Sequence, residues 1–184
     1  MWSPDFSRGK PAGPGRLARF GRLVAALFVA GCIGLRAEVK VGDAFPALAA
    51  PALASLGTGD LPATAGQVVL VDFWASWCAP CKASFPALAQ LQKDFAARGL
   101  VIAAVSVDEK PAAASAFVKK LAPNFPTLHD RTQALVKQVG VPTMPTSYLL
   151  GRDGRVRFIH QGFHGETTER ELRRQIETLL AEKS

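Results

Sequence analysis

Two cysteines, Cys78 and Cys81, are the residues whose type and spacing indicate chemistry most directly. They stand in the run Trp77-Cys78-Ala79-Pro80-Cys81, where an apolar stretch gives way to a stretch with helical periodicity. Two cysteines three residues apart on the first turn of a helix can close a small disulfide ring. The free N–H groups and the macrodipole of a helix N-terminus favour a thiolate there. We expect Cys78 to attack disulfides and Cys81 to be the more buried resolving thiol, while Pro80 stiffens the turn.

A metal site is the main structural alternative for this cysteine pair. A zinc ion bound by protein side chains needs about four ligands. The sequence has no second cysteine pair, and His129, His160 and His164 lie far along the chain without ligand spacing. A copper-binding module would favour a wider cysteine spacing. We therefore expect no metal and no cofactor beyond a redox-active Cys78–Cys81 disulfide, and we expect His160 and His164 in solvated loops.

The elements that must position the cysteines follow from the hydrophobic pattern. Residues 68–74 form an apolar, β-branched run interrupted only by Asp72, which predicts a central strand. From residue 79 to residue 98 apolar residues recur every three or four positions, which predicts a helix ended by Gly99. A lone carboxylate in a buried strand is costly, so we expect burial to raise the pKa of Asp72.

The rest of the body alternates between strand-like and helix-like segments. Residues 38–67 predict short edge strands and loops, and the last helix is predicted to begin at Thr168 with a capping box completed by Glu171. This alternation predicts an α/β layered domain over residues 38–184. The other predicted strands are 100–107, 125–128, 147–150 and 156–160, and the other predicted helices are 111–121 and 132–139.

The segment from Val71 to Lys82 strongly resembles the active-site segment of thioredoxins. Pro86, eight residues after Cys78, matches the proline that kinks the active-site helix in that family. Met144-Pro145-Thr146, just before a predicted strand, is similar to the family's cis-proline loop, although Pro142 lies close enough to compete for that place.

An apparent export leader and the extra strand–helix material between Leu100 and Leu128 make the chain similar to the TlpA/ResA branch of that superfamily. The resemblance implies a thioredoxin fold: a central mixed sheet flanked by helices, an N-terminal extension and a βα insertion. Resemblance to thioredoxin itself also implies that Asp72 exchanges protons with Cys81. It further implies substrate contacts by Trp77, Met144, Pro145 and Thr146, with Pro80, Pro86 and Trp74 supporting the site.

Two positions depart from that branch, which often has Asn or another residue where this chain has Asp72. The branch often has Glu three residues after the second cysteine, and this chain has Ser84 there. Acid–base assistance is therefore expected from Asp72 on the strand and not from the helix. A carry-over of Glu-dependent specificity for apocytochrome is correspondingly not supported at this position.

The formal charge of +7 is concentrated in residues 1–37, which contain six basic residues and one acidic residue. The remainder carries about +2, so the charge does not indicate a nucleic-acid surface. A basic stretch followed by the short apolar run 23–35 predicts an export signal, with a membrane anchor as the alternative. The segment from Val29 to Cys32 resembles a bacterial lipobox, which would lipidate Cys32; cleavage after Ala37 competes with it.

Together these features predict an extracytoplasmic thiol-disulfide oxidoreductase, mainly a reductase of protein disulfides. We expect it to be a monomer in the periplasm or at the extracytoplasmic membrane face. Because this compartment is oxidising, we expect a membrane thiol reductase to reduce the Cys78–Cys81 disulfide again after each reaction. Part of the TlpA/ResA branch serves cytochrome c maturation. Two alternatives stay open: a non-catalytic module that binds thiol proteins or metal, and a thiol peroxidase. A peroxidase would be expected to have Thr three residues before the reactive cysteine, and this chain has Ala75 there.

Overall fold

The structure, a computed structural model, describes residues 38–48 and 53–182. The predicted leader, including Cys32 and Ala37, lies outside these residues, so the export signal and the lipidation stay predictions. Within the described ranges, none of the helices is long and apolar enough to cross a membrane.

The described residues form one six-stranded sheet and four α-helices. The first helix is followed by a 3-10 turn at Ala96–Arg98, which ends at Gly99. The strands are β1 (Leu53–Ser55), β2 (Val68–Trp74), β3 (Leu100–Ser106), β4 (Thr127–Asp130), β5 (Thr146–Leu150) and β6 (Val156–Gln161). The helices are α1 (Ala79–Phe95), α2 (Pro111–Leu121), α3 (Ala134–Val139) and α4 (Glu166–Ala181).

The strand that leads to the cysteines lies near the middle of the sheet. The strand order is β1-β4-β3-β2-β5-β6, with β2 parallel to β3 and antiparallel to β5. All seven residues of β2 are buried, because helices or loops cover both faces of the sheet. Its continuous apolar sequence is what such a strand requires. The predicted α/β class with a central mixed sheet is confirmed.

Several element boundaries differ from the sequence prediction by one to three residues, and the contacts in the structure explain two of these differences. β4 begins at Thr127 and not at residue 125, since Pro126 has no N–H to donate to the ladder; its carbonyl accepts the N–H of Ala104. α4 begins at Glu166, two residues before the predicted start. Thr168 lies inside the helix, where its hydroxyl accepts the backbone N–H of His164.

The core consists of two layers on opposite faces of the sheet. One layer joins β2 and β3 to α1, α2 and α4, and it contains both cysteines. In this layer the indole of Trp74 packs against Phe85 and Phe117, with ring centroids 5.1 and 4.6 Å away. The other layer packs α3 and the N-terminal segment around Val39 against the opposite face. The cysteines are therefore held by the larger apolar layer.

Candidate active site

The cysteines lie where β2 ends and α1 begins. Cys78 occupies the N-cap position of α1, and its Sγ accepts the backbone N–H of Cys81 at 3.1 Å. The two sulfurs form a disulfide with an S–S distance of 2.03 Å. Cys81 is completely buried, whereas Cys78 keeps 5% of its surface exposed. A sulfur at this position meets the unpaired N–H groups and the positive end of the helix dipole, which stabilise a thiolate.

The residues around the disulfide divide into exposed and buried groups. Trp77 is 71% exposed, which leaves a large apolar surface directly beside the disulfide. Trp74 is fully buried and belongs to the core. Pro80 lies in the first turn of α1, and Pro86 lies inside the same helix. The structure therefore separates the two tryptophans: one packs beneath the site, and the other borders it at the surface.

The predicted cis-proline loop precedes β5. The peptide bond between Met144 and Pro145 is cis, and among the described residues no other peptide bond is, so Pro142 is not the cis-proline. The carbonyl of Pro145 accepts the N–H of Gly162 at 2.7 Å, and the hydroxyl of Thr146 donates to the carbonyl of Thr143 at 2.8 Å. These bonds hold both sides of the loop at the start of β5.

A cavity of about 460 Å³ lies between Trp77 and the cis-proline loop. Apolar side chains of α2, α3 and the segment after β3 contribute to its wall, and Asp108, Glu109 and Lys110 add charged groups of both signs. A volume of this size accommodates a large side chain of a bound polypeptide. The lining residues are Ser76, Trp77, Val107, Asp108, Glu109, Lys110, Ala113, Gln133, Val136 and Met144.

Asp72 is buried in β2, with only 1% of its surface exposed. Side chains alternate along a strand, so Asp72 shares the face of Leu70 and Trp74, whose core layer also holds Cys81. The hydroxyl of Ser147 donates to its Oδ1 at 2.6 Å, while Oδ2 has no hydrogen-bond partner among the described residues. Burial raises the pKa of Asp72 to about 7, and the hydrogen bond from Ser147 acts in the opposite direction.

The structure reveals a second buried carboxylate near the cysteines, which sequence reasoning missed. Asp108 follows β3, and its Oδ2 accepts the backbone N–H of Ser76 at 2.9 Å. The hydroxyls of Ser76 and Ser106 donate to its two oxygens at 2.6 and 2.8 Å. These bonds tie the end of β3 to the loop just before Cys78. The available signal was the polar pair Ser106 and Asp108 at the carboxyl end of an apolar strand.

Ser84 also faces the interior next to the site. It is buried in α1, and its hydroxyl donates to the carbonyl of Cys81 at 2.9 Å. At the position where the TlpA/ResA branch often has Glu, the helix therefore carries a hydroxyl that is already hydrogen-bonded. In the part of the chain that the structure describes, no group of three or more His, Cys, Asp or Glu side chains is arranged to hold a metal ion.

Comparison with known proteins assigns the family. The Redoxin family pattern matches residues 40–176. The chain belongs to the Redoxin family. A thiol-disulfide oxidoreductase ResA from Bacillus thuringiensis subsp. konkukian is 35% identical to this Redoxin-family chain over 107 residues. That match covers 58% of this chain, and the chain spans only 60% of that ResA's length.

Two further relatives match over more of their length. A thiol-disulfide oxidoreductase ResA from Oceanobacillus iheyensis is 31% identical over 146 residues, which is 76% of each chain. The crystal structure of a thiol:disulfide interchange protein DsbE from Chlorobium tepidum superposes with a TM-score of 0.67 at 32% identity. It covers 78% of this chain and 100% of that one. These matches confirm the thioredoxin fold and the TlpA/ResA type of this Redoxin-family chain.

Proposed function

We propose that this chain is a thiol-disulfide oxidoreductase that reduces protein disulfides with Cys78 and Cys81. The observation that carries the proposal is the position of Cys78 at the N-cap of α1, with its Sγ accepting the N–H of Cys81. This arrangement stabilises a thiolate, and a thiolate is the attacking species in disulfide exchange. The names of the ResA and DsbE relatives support the same chemistry.

The proposed reaction transfers two electrons from the protein dithiol to a substrate disulfide. The Cys78 thiolate attacks one substrate sulfur, and the other substrate sulfur leaves as a thiolate that takes a proton from solvent. Cys81 then loses its proton, attacks Sγ of Cys78 and breaks the bond to the substrate. The second substrate sulfur leaves as a thiolate and takes up a proton in place of the one that Cys81 released, so the substrate is released with two thiols. The protein is left with the Cys78–Cys81 disulfide seen in the structure.

Asp72 is the proposed acceptor of the Cys81 proton. With its pKa raised to about 7 by burial, its carboxyl group is partly ionised at neutral pH. A general base is most effective when its pKa is near the working pH. Asp72 and Cys81 also share one buried face of the sheet, where Ser84 supplies no carboxylate.

Trp77, Met144, Pro145 and Thr146 are the proposed substrate contacts. A substrate segment in extended conformation would pair with the backbone at Met144 beside the cis-proline, in the manner of an added strand. The exposed indole of Trp77 and the adjoining cavity would then receive the side chains that flank the substrate cysteine. Pro80, Pro86 and Trp74 would keep the start of α1 rigid.

The proposed setting is the periplasm or the extracytoplasmic membrane face. The predicted export signal in residues 1–37 supports this location, with lipidation of Cys32 as one form of attachment. Because that compartment is oxidising, a membrane thiol reductase must restore the dithiol of the monomeric protein. The resemblance to the TlpA/ResA branch supports cytochrome c maturation as the process served.

Trapping of mixed disulfides tests the proposal. Cys81→Ser leaves the attacking thiol but removes the resolving one, so the full-length variant should accumulate disulfide-linked complexes with its substrate proteins in cells. Cys78→Ser is the matched control, and it should accumulate none. Complexes linked through Cys32, or equal trapping by both variants, would contradict the assignment of the two cysteines.

The reduction potential tests the direction of the reaction. A reductase requires a strongly reducing dithiol, and a Cys78–Cys81 potential near about −120 mV would instead indicate an oxidant. Equilibration of the purified protein with glutathione buffers measures it. Disulfide turnover retained by Cys78→Ser would indicate a binding module, and rapid peroxide consumption by the dithiol would indicate a peroxidase.

A further inference from the structure

Three polar side chains form a row across the sheet beneath the disulfide. Asp72 in β2 is directly opposite Ser147 in β5, and Ser147 is directly opposite His160 in β6. Residues that face each other across antiparallel strands project from the same face of the sheet. The row therefore lies on the face that α1 and α4 cover, and Ser147 separates the carboxylate from the imidazole.

Ser147 makes the one hydrogen bond that the Asp72 carboxyl group receives from the described residues. Its Oγ donates to Oδ1 at 2.6 Å, and both residues are buried, with exposed fractions of 7% and 1%. Oδ2 is buried and has no partner in the part of the chain that the structure describes. A hydrogen bond to an ionised acceptor is about twice as strong as one between neutral groups, so this contact favours one orientation of the carboxyl group.

The other neighbours of Asp72 offer few charges. Across β3 it pairs with Ala104, and α1 contributes the two cysteines to the same face. The expectation that His160 lies in a solvated loop was wrong, because the residue belongs to β6. Its Nε2 lies 2.7 Å from Oε1 of Gln175, and its Nδ1 lies 3.8 Å from Glu171 on α4. The imidazole is thus engaged with α4, which leaves Ser147 to orient Asp72.

We propose that Ser147 is a positioning residue for proton transfer between Cys81 and Asp72. Its hydroxyl occupies Oδ1 and thereby leaves Oδ2 as the atom that takes the proton. The Cys81 thiol gives its proton to Oδ2, the resulting thiolate bonds to Sγ of Cys78, and the substrate sulfur leaves with the electron pair of the broken bond. This inference rests on the proposed exchange reaction.

The same contact adjusts the acidity of Asp72. Burial raises the pKa of Asp72, and the Ser147 hydroxyl lowers it by stabilising the charged form. Removing that hydroxyl therefore raises the pKa further. The loss of one hydrogen bond to a charged carboxylate raises the pKa of that group by about one unit or more. At pH 7 a shift of about one unit would reduce the ionised fraction of Asp72 about fivefold.

The test compares three substitutions of Ser147 in the full-length protein. Ser147→Ala removes the hydroxyl. Ser147→Thr and Ser147→Val introduce side chains of nearly the same shape, of which only threonine has a hydroxyl. Their comparison remains informative if the alanine variant folds poorly. Tyr148→Phe is the matched control, because it removes a hydroxyl from the next residue of β5 on the opposite face of the sheet.

Two measurements are made on each variant. Infrared difference spectroscopy of the oxidised protein follows the titration of the buried carboxyl group, since disulfide-bonded cysteines do not titrate. Stopped-flow kinetics measure how the rate of resolution of a mixed disulfide with a model peptide depends on pH. We expect the alanine and valine variants to shift both midpoints up by about one pH unit. The threonine variant and Tyr148→Phe should keep the wild-type values.

Specific results would overturn the inference. Wild-type midpoints in Ser147→Ala, or equal midpoints in the threonine and valine variants, would show that the hydroxyl does not position Asp72. A wild-type protein that reduces no disulfide would instead refute the proposed function. The infrared titration would still report whether Ser147 acts on Asp72, so the two failures are distinguishable.

Discussion

Asp72 and Asp108 are both buried carboxylates beside the junction of β2 and α1, yet their hydrogen bonds differ. Asp108 receives a backbone N–H and two hydroxyls, so both of its oxygens are bonded. Asp72 receives the single hydroxyl of Ser147, and its Oδ2 is left without a partner in the described residues. Burial alone therefore does not distinguish the two sites; the supply of donors does.

The difference in hydrogen bonding fits a structural role for Asp108 and the proposed chemical role for Asp72. A buried charge is tolerated when hydrogen bonds replace its hydration, and Asp108 uses such bonds to hold Ser76 two residues before Cys78. Asp72 has too few donors to stabilise its charge fully, so it binds a proton near neutral pH. A carboxyl group that gains and loses a proton in that range suits the proposed exchange with Cys81.

The largest expected effect is on stability at high pH. The folded-state pKa of Asp72, about 7, exceeds its ordinary value of 3.8, so the folded state retains a proton that the unfolded state loses. Stability therefore falls as the pH rises through this window. Asp72→Asn cannot ionise, and it should raise the free energy of unfolding at pH 8 by up to about 4 kcal/mol, with no gain at pH 3.

Urea unfolding of the oxidised protein at both pH values measures this effect. Asp153→Asn is the control, because Asp153 is an exposed carboxylate whose ion pair with Arg157 is worth less than about 1 kcal/mol. A gain for Asp72→Asn that is equal at pH 3 and pH 8 would show that the ionisation of Asp72 is not its source.

The next effect is on the rate of exchange. Asp72→Asn keeps an oxygen that can accept the Ser147 hydroxyl, but it can no longer accept the proton of Cys81. We expect the resolution of the mixed disulfide at pH 7 to slow about 100-fold, the lower range for general base catalysis. Single-turnover kinetics with a model peptide disulfide measure this rate. A wild-type rate in Asp72→Asn would show that Asp72 does not accept the proton of Cys81.

The smallest expected effect is the loss of stability from Asp108→Asn. The substitution replaces one acceptor oxygen by a donor amide and so breaks a charge-assisted hydrogen bond to Ser76 or Ser106. The free energy of unfolding at pH 8 should fall by about 2 kcal/mol, opposite in sign to Asp72→Asn. Urea unfolding checks it, and a gain in stability would mean that Asp108 is not the better-bonded carboxylate.

Much of the site could be predicted because its signals are local. The spacing of Cys78 and Cys81, the apolar run broken by Asp72, and the helical periodicity after residue 79 all lie within about one strand and one helix. The α/β class follows from the same alternation. Boundaries such as the start of α4 were less well predicted, because Thr168 lies inside the helix and its hydroxyl accepts the backbone N–H of His164, which precedes the helix.

By itself the sequence determined that Cys78 and Cys81 stand three residues apart where a strand gives way to a helix, and which carboxyl group interrupts the central strand. It left both Pro142 and Pro145 as candidates for the loop before β5. Only the tertiary structure decided that Ser147, 75 residues from Asp72, is its donor and that Asp108 holds Ser76, 32 residues away. These partners depend on the register between strands, and a shift of one residue would turn each side chain to the other face. Their contribution to the site therefore arises from the pairing of distant segments.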